Sequence, residues 1–227
     1  MQGEIERALT EICAAPIRIT GAGRTDAGVH ATGQVIDFRT ASALDGEAIE
    51  RGVNALLSKD IAISDVEAAS EDFHSRFSAT GRTYEYRIRR SRTRDPREWR
   101  KEHWLPGSLD VAAMKDASGS LIGRHDFAAF AAGVSGERTV RRAEWSEAGE
   151  LLRFEIEAEA FLRGMVRGIV GTLLWVGRGK IGVDRFAEVL RSRDRAQAGP
   201  SAPAQGLCLI RVEYGERRQR QSEEADE

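Results

Sequence analysis

Between residues 81 and 90 the chain alternates with a period of two. Tyr84, Tyr86 and Ile88 fall on one face, and Thr83, Glu85, Arg87 and Arg89 on the other. Successive side chains of a strand point to opposite faces, so this segment reads as a strand with an apolar side and a charged side. The segments around it decide what sheet it joins. Residues 2–14 predict an amphipathic helix, with Ile5, Ala8, Leu9 and Ile12 on one stripe and Pro16 as its stop. A short strand at 17–20, a Gly-rich turn at 21–28, an alternating stretch at 31–38, a helix over 46–57 capped by Asp45 and a strand at 61–67 follow. The polar run 92–98 contains Pro96 and predicts a linker or loop tip. Beyond it the order of elements begins again. A helix over 110–121 starts at Ser108 or Asp110, strands lie near 138–148 and 151–159, helices cover 163–177 and 184–193, and a strand closes at 207–214. Mixed helices and strands at hairpin-like spacing predict an α+β fold with a mainly antiparallel sheet, not a doubly wound parallel one. The expected division is 1–104 and 105–215, two α+β halves alike in element order but not in sequence, with 216–227 a charged, disordered tail.

Apolar residues make up 41% of the 227, enough for a hydrophobic core and too many for a long disordered chain. The net charge of −2 names no polyanion partner by itself, although it leaves room for a local basic face. Arginine outnumbers lysine 30 to 4. Codon usage explains such a bias blandly; a surface that grips phosphates with guanidinium forks explains it sharply. Placement favours a local role, because residues 76–101 hold ten basic side chains against three acids, a segment of +7. The longest apolar candidate, Gly164 to Gly177, is too short to span a bilayer and contains Arg167. MQGEIERAL does not read as a signal peptide, and two distant cysteines, Cys13 and Cys208, argue against a disulfide framework; a reducing cytoplasm is the expected location.

Several motifs fail on inspection. Gly21-Ala22-Gly23 opens a G-x-G-x-x-G pattern, but Asp26 at its sixth position would repel a pyrophosphate, which leaves a nucleotide-dependent oxidoreductase little support. The spacing of Gly177-Arg178-Gly179-Lys180 is not that of a phosphate-cradling loop. His30, His74, His103 and His125 are isolated, so neither a metal nor an organic cofactor is expected. What remains is GAGRTDAGVHA, Gly21 to Ala31, a Gly-rich turn between strands with Arg24 and Asp26 at its centre. Such a turn presents side chains outward and admits close backbone approach. Read from the residues alone, Asp26 either caps nearby amides in an Asx-type turn or performs chemistry.

GAGRTDAGVHATGQV resembles the signature of the tRNA pseudouridine synthase A (TruA-like) family. Further likenesses follow in the family's order: FHSRFSATGRTYEYRI (73–88), GRHDFAAF (123–130), AFLRGMVRGIVGTLLWVGRGK (160–180) and GLCLIRVEY (206–214), together spanning nearly the whole chain. The resemblance implies a pseudouridine synthase fold with a cleft between its halves. It also implies cofactor-independent isomerisation of uridine to pseudouridine at positions 38–40 of the tRNA anticodon stem-loop, by a homodimer. Asp26 matches the catalytic aspartate of the family. The reaction breaks the C1′–N1 bond, turns the base and joins C5 to C1′. A carboxylate can attack the sugar, attack the base or remove a sugar proton, and the sequence leaves these three routes open. Aspartate is ionised at neutral pH without an activating base. Arg167 matches the arginine that the family sets beside it. It reads either as a helix residue reaching solvent or as a buried partner among Met165, Val166, Ile169 and Val170. Gly164, Gly168 and Gly171 are expected to let this helix pack closely against the sheet carrying Asp26. Tyr84 matches the active-site tyrosine that stacks on the target uracil, leaving the core role to Tyr86. Arg24 is expected to displace the target nucleotide and hold a phosphate, or else to brace the turn. The arginines of 76–101 are expected to meet phosphates of the tRNA body. His30, Phe73, Phe77, Phe127 and Phe130 are read as structural.

The sequence departs from the family pattern at its start. Members begin with a strand and a Y-D-G-T-x-F-x-G-W-Q-x-Q motif, whereas this chain opens at MQGEIERAL, which corresponds to the helix after it. That departure predicts an unpaired strand edge and keeps open a second class, a non-catalytic RNA-binding or chaperone-like relative.

Overall fold

The computed structural model describes residues 1–215, which form two compact units. The smaller takes 1–23 and 35–78; the larger takes 24–34 and the described chain from Ala79 onward. These units differ from the halves 1–104 and 105–215 expected from the order of elements. The tail 216–227 lies outside the described residues.

In the smaller unit, α1 (Gln2–Cys13) and α2 (Gly46–Leu56) form where periodicity predicts them. α1 buries Ile5, Ala8, Leu9 and Cys13 and stops at Ala14, which turns left-handed at φ 52° two residues before Pro16. α2 begins at Asp45, whose carboxylate accepts the Ala48 N–H at 2.7 Å, a cap that contributes about 1 kcal/mol. The two helices share one core with Ile17, and Ile19, Ile61, Ile63 and Val66 pack against it. The predicted strands around them need correction. The segment at 17–20 contributes only β1 (Thr20–Gly21). The stretch 31–38 breaks into β2 (His30–Ala31) and β3 (Ile36–Asp37), with β1 and β3 paired antiparallel. Residues 61–67 form no strand. Their apolar pattern is that of a strand, but helix side chains take their backbone groups. Asn54 Oδ1 accepts the Ile63 N–H and Asn54 Nδ2 donates to the Ile63 carbonyl, both at 2.8 Å. Thr10 and Glu6 treat the amides of Ile17 and Ile19 the same way.

The larger unit is built on one sheet. Its members are β2, β4 (Ala79–Arg89), β5 (His103–Trp104), β6 (Gly123–Asp126), β7 (Glu137–Ala148), β8 (Leu151–Ala158) and β9 (Leu207–Tyr214), ordered β2-β9-β4-β8-β7-β6 with β5 alongside β4. The pairings β2–β9 and β4–β5 are parallel and the rest antiparallel, so the mainly antiparallel α+β fold stands. β5 and β6 are too short for their patterning to announce them. The apolar face of β4 faces the core as expected, with Tyr86 and Ile88 fully buried. α3 (Val111–Gly119), α4 (Met165–Gly177) and α5 (Val183–Ser192) supply the rest of that core. α4 is buried almost all round, and its glycines explain how. A Cβ on Gly168 would lie 2.2 Å from the Phe130 carbonyl oxygen, and one on Gly171 1.7 Å from that of Pro200. The expectation that these glycines admit the sheet carrying Asp26 is therefore corrected: they admit the backbone of a 3₁₀ turn ending at Phe130 and of the loop at Pro200. No helix among the described residues is long and apolar enough to cross a membrane.

Candidate active site

The chain leaves the smaller unit at Gly23, runs through the larger unit as a strap over residues 24–34, and returns at Val35. The far side of the strap is stitched to β9: His30 pairs with Cys208 and Ala31 with Leu209, and the amides of Thr32 and Gly33 both donate to the Leu209 carbonyl, at 2.9 and 3.1 Å. Its tip is a type II turn. The Val29 N–H donates to the Asp26 carbonyl at 3.0 Å, and Gly28 supplies the required positive φ, +81°. The buried Val29 pins this turn to the core.

Asp26 meets Arg167 across 141 residues of sequence. The guanidinium Nη1 donates to Asp26 Oδ2 at 2.9 Å, with the two side chains 34% and 23% exposed. Arg167 sits in the first turn of α4 and is held independently of the carboxylate. Its Nε donates to the Ala202 carbonyl at 2.8 Å, while its own carbonyl accepts the Ala202 N–H at 2.9 Å. The arginine is thus a partly buried, paired group rather than a solvent-facing one. The pairing uses one carboxylate oxygen; Oδ1 accepts no hydrogen bond among the described residues, so the site offers an anchored carboxylate with an open oxygen.

Tyr84 is 8% exposed and meets Phe161 edge-on, at 5.1 Å between ring centroids. Burial pushes its phenol up to about 12; Arg82 opposes the rise and the nearby Asp26 charge adds to it. Tyr86 shares the strand face, is fully buried and donates its hydroxyl to the Pro203 carbonyl at 2.8 Å, with burial raising its phenol too. Both tyrosines hold their protons longer folded than unfolded. Above about pH 10 the unfolded chain loses protons that the native one keeps, so stability falls as pH rises further. The urea midpoint is therefore expected to drop between pH 10 and 12, less steeply in Tyr84→Phe; equal slopes for variant and parent would contradict this reading.

Arg24 is exposed and makes no ion pair among the described residues. The structure brings Asp26, Arg167 and Tyr84 into one neighbourhood and leaves Arg24 on the strap two residues from the carboxylate. Three further groups contribute. Phe161 lies in the stretch 160–180, where nothing but its aromatic side chain marks it; the Ala202 and Pro203 carbonyls carry no sequence signal, because any residue supplies one. Phe127 and Phe130 are structural as read, but Phe77 is 76% exposed.

A family model matches most of the chain. The model described as tRNA pseudouridine synthase covers residues 1–78 and 117–215. This chain belongs to that family. Among its relatives, the tRNA pseudouridine synthase A of Chloroflexus aurantiacus is 48% identical over 222 residues, spanning 94% of this chain and 80% of the relative. Those of Geobacter sulfurreducens and Myxococcus xanthus are 41% and 42% identical, over 94% of this chain and 89% and 83% of theirs. Pseudouridine synthases are isomerases, so the enzyme class read from the motifs stands and the nucleotide-dependent oxidoreductase falls. Asp26 and Arg167 lie inside the family's matched stretches; Tyr84 and the arginine-rich residues 79–101 lie between them.

Proposed function

We propose that this chain isomerises uridine to pseudouridine in tRNA, at positions 38–40 of the anticodon stem-loop, with Asp26 as the catalytic carboxylate and no cofactor. The observation that carries the reading is the Asp26–Arg167 pair, with one oxygen held and one open. Each of the three routes needs such an oxygen, whether it attacks C1′, attacks the base or takes a sugar proton. The net reaction exchanges a C1′–N1 bond for a C1′–C5 bond and a C5–H for an N1–H, so it needs no oxidant or reductant. Arg167 favours the charged carboxylate and counters the cost of closing the site around it. The uridine must leave its stack at a cost of a few kcal/mol. Tyr84 receives it with a flat ring that stays protonated at working pH, and Arg24, exposed on the strap, takes a phosphate beside it. The reading includes a homodimer acting in the cytoplasm.

Pseudouridine mapping on an unmodified tRNA transcript tests the proposal. Conversion at 38–40 by the 227-residue chain, and none by Asp26→Asn, is the expected result. A folded chain that binds the transcript and converts no uridine would overturn it in favour of an RNA-binding relative. Sedimentation at micromolar concentration checks the dimer.

A further inference from the structure

The arginine-rich segment is far less basic at its surface than its sequence. In the larger unit, Arg82 is buried and donates to the Ala79 and Glu159 carbonyls. Arg87 pairs with Glu85, Arg89 with Glu102, Arg90 with Glu147, Arg97 with Asp95 and Lys101 with Glu98. The expectation that all these arginines meet phosphates is corrected accordingly. Three guanidinium groups, those of Arg92, Arg94 and Arg100, stay exposed and make no ion pair among the described residues. All three lie in the loop between β4 and β5.

The same loop displays Trp99, 53% exposed, with the Arg100 guanidinium 5.0 Å from its ring centroid. An exposed indole with a cation against it, flanked by uncompensated arginines, has the chemistry of a platform for an unpaired base and its phosphates. The loop is also tied to the catalytic strap. His30 Nε2 donates to the Arg100 carbonyl at 2.6 Å. His30 follows Asp26 by four residues, at most about 14 Å of chain.

We propose that Trp99 stacks an unpaired base of the bound RNA while Arg92 and Arg94 take neighbouring phosphates, with His30 holding this loop in register with Asp26. The inference rests on the RNA substrate proposed above and adds a second grip on it. Uncompensated arginines favour a polyanion over a protein partner at this face, and the short link to Asp26 places the grip within reach of a stem-loop.

The test uses an unmodified anticodon stem-loop transcript, with conversion by the parent chain and binding by full-length Asp26→Asn as the two readouts. Trp99→Leu is expected to raise KM and Kd about tenfold, within the range that stacking on one base supplies, and to change kcat less than about twofold. Trp99→Phe should recover most of the loss, because it restores a ring without restoring the shape of tryptophan. Arg92→Ala with Arg94→Ala should flatten the dependence of log affinity on log salt by about 1.4 in slope, two phosphate contacts to a single strand. Parent-like binding by Trp99→Leu, in a chain whose parent converts uridine, overturns this inference alone. A change in sedimentation on Trp99→Leu assigns the loop to a protein contact and also overturns it. A parent that does not bind the transcript overturns both this inference and the proposed substrate.

Discussion

Asp26→Ala is expected to lower isomerisation by ~10⁴-fold or more, as loss of an essential nucleophile or base does elsewhere, while leaving tRNA affinity within about threefold. The strap explains why the two effects should separate. Its register is set by backbone bonds to Leu209, by the pairing of His30 and Ala31 with β9 and by the buried Val29, none of which uses the carboxylate. Arg167 keeps its bond to the Ala202 carbonyl after the carboxylate is gone, and its head is near enough to solvent to be rehydrated. The stability cost should be about 1 kcal/mol. Asp26→Asn sharpens the test, since its amide oxygen can still accept from Arg167 and only the charge is lost. Circular dichroism melts, filter binding and pseudouridine mapping on the same samples check the set. A variant that loses fold and binding along with turnover would make Asp26 a structural residue.

Gly171→Ala should be the most damaging single methyl group in the molecule. Its Cβ would lie 1.7 Å from the Pro200 carbonyl oxygen and 2.9 Å from that carbonyl carbon, so backbone must move. Overpacking of this kind costs about 3 kcal/mol, or roughly 6–12 °C in Tm for a chain of this size. Activity should fall further than stability, because Pro200 stands two residues before Ala202, whose carbonyl holds Arg167. Gly3→Ala is the control. It lies in α1 with nothing within 4 Å of its added Cβ, and should be neutral or stabilising by up to about 1 kcal/mol. Thermal melts of the two variants decide the matter, and a Gly171→Ala chain that melts with the parent would refute the close approach.

Some of this architecture was legible and some was not, for physical reasons. The five α-helices among the described residues were legible, four from an apolar stripe or a cap and α4 from an apolar run too long for a strand. Periodicity misjudged 61–67, because alternation reports which side is buried and not what satisfies the amides; Asn54 and Glu50 do that from α2. Arg167 could be read as buried and paired from its apolar neighbours and the family motif together. Tyr84 and Tyr86 could not be separated by alternation, since both share a face and only the distant Pro203 carbonyl marks one as core. The arginines of 79–101 looked free in sequence because two of their acidic partners, Glu102 and Glu147, lie outside the segment.

Asp26 is synthesised early and seated late. The strand that fixes its strap, β9, ends at Tyr214. A ribosome adding about 5–20 residues per second delivers Leu209 roughly ten to forty seconds after Asp26. For that interval a nascent chain carries the Asp26 carboxylate without the strand that seats its strap.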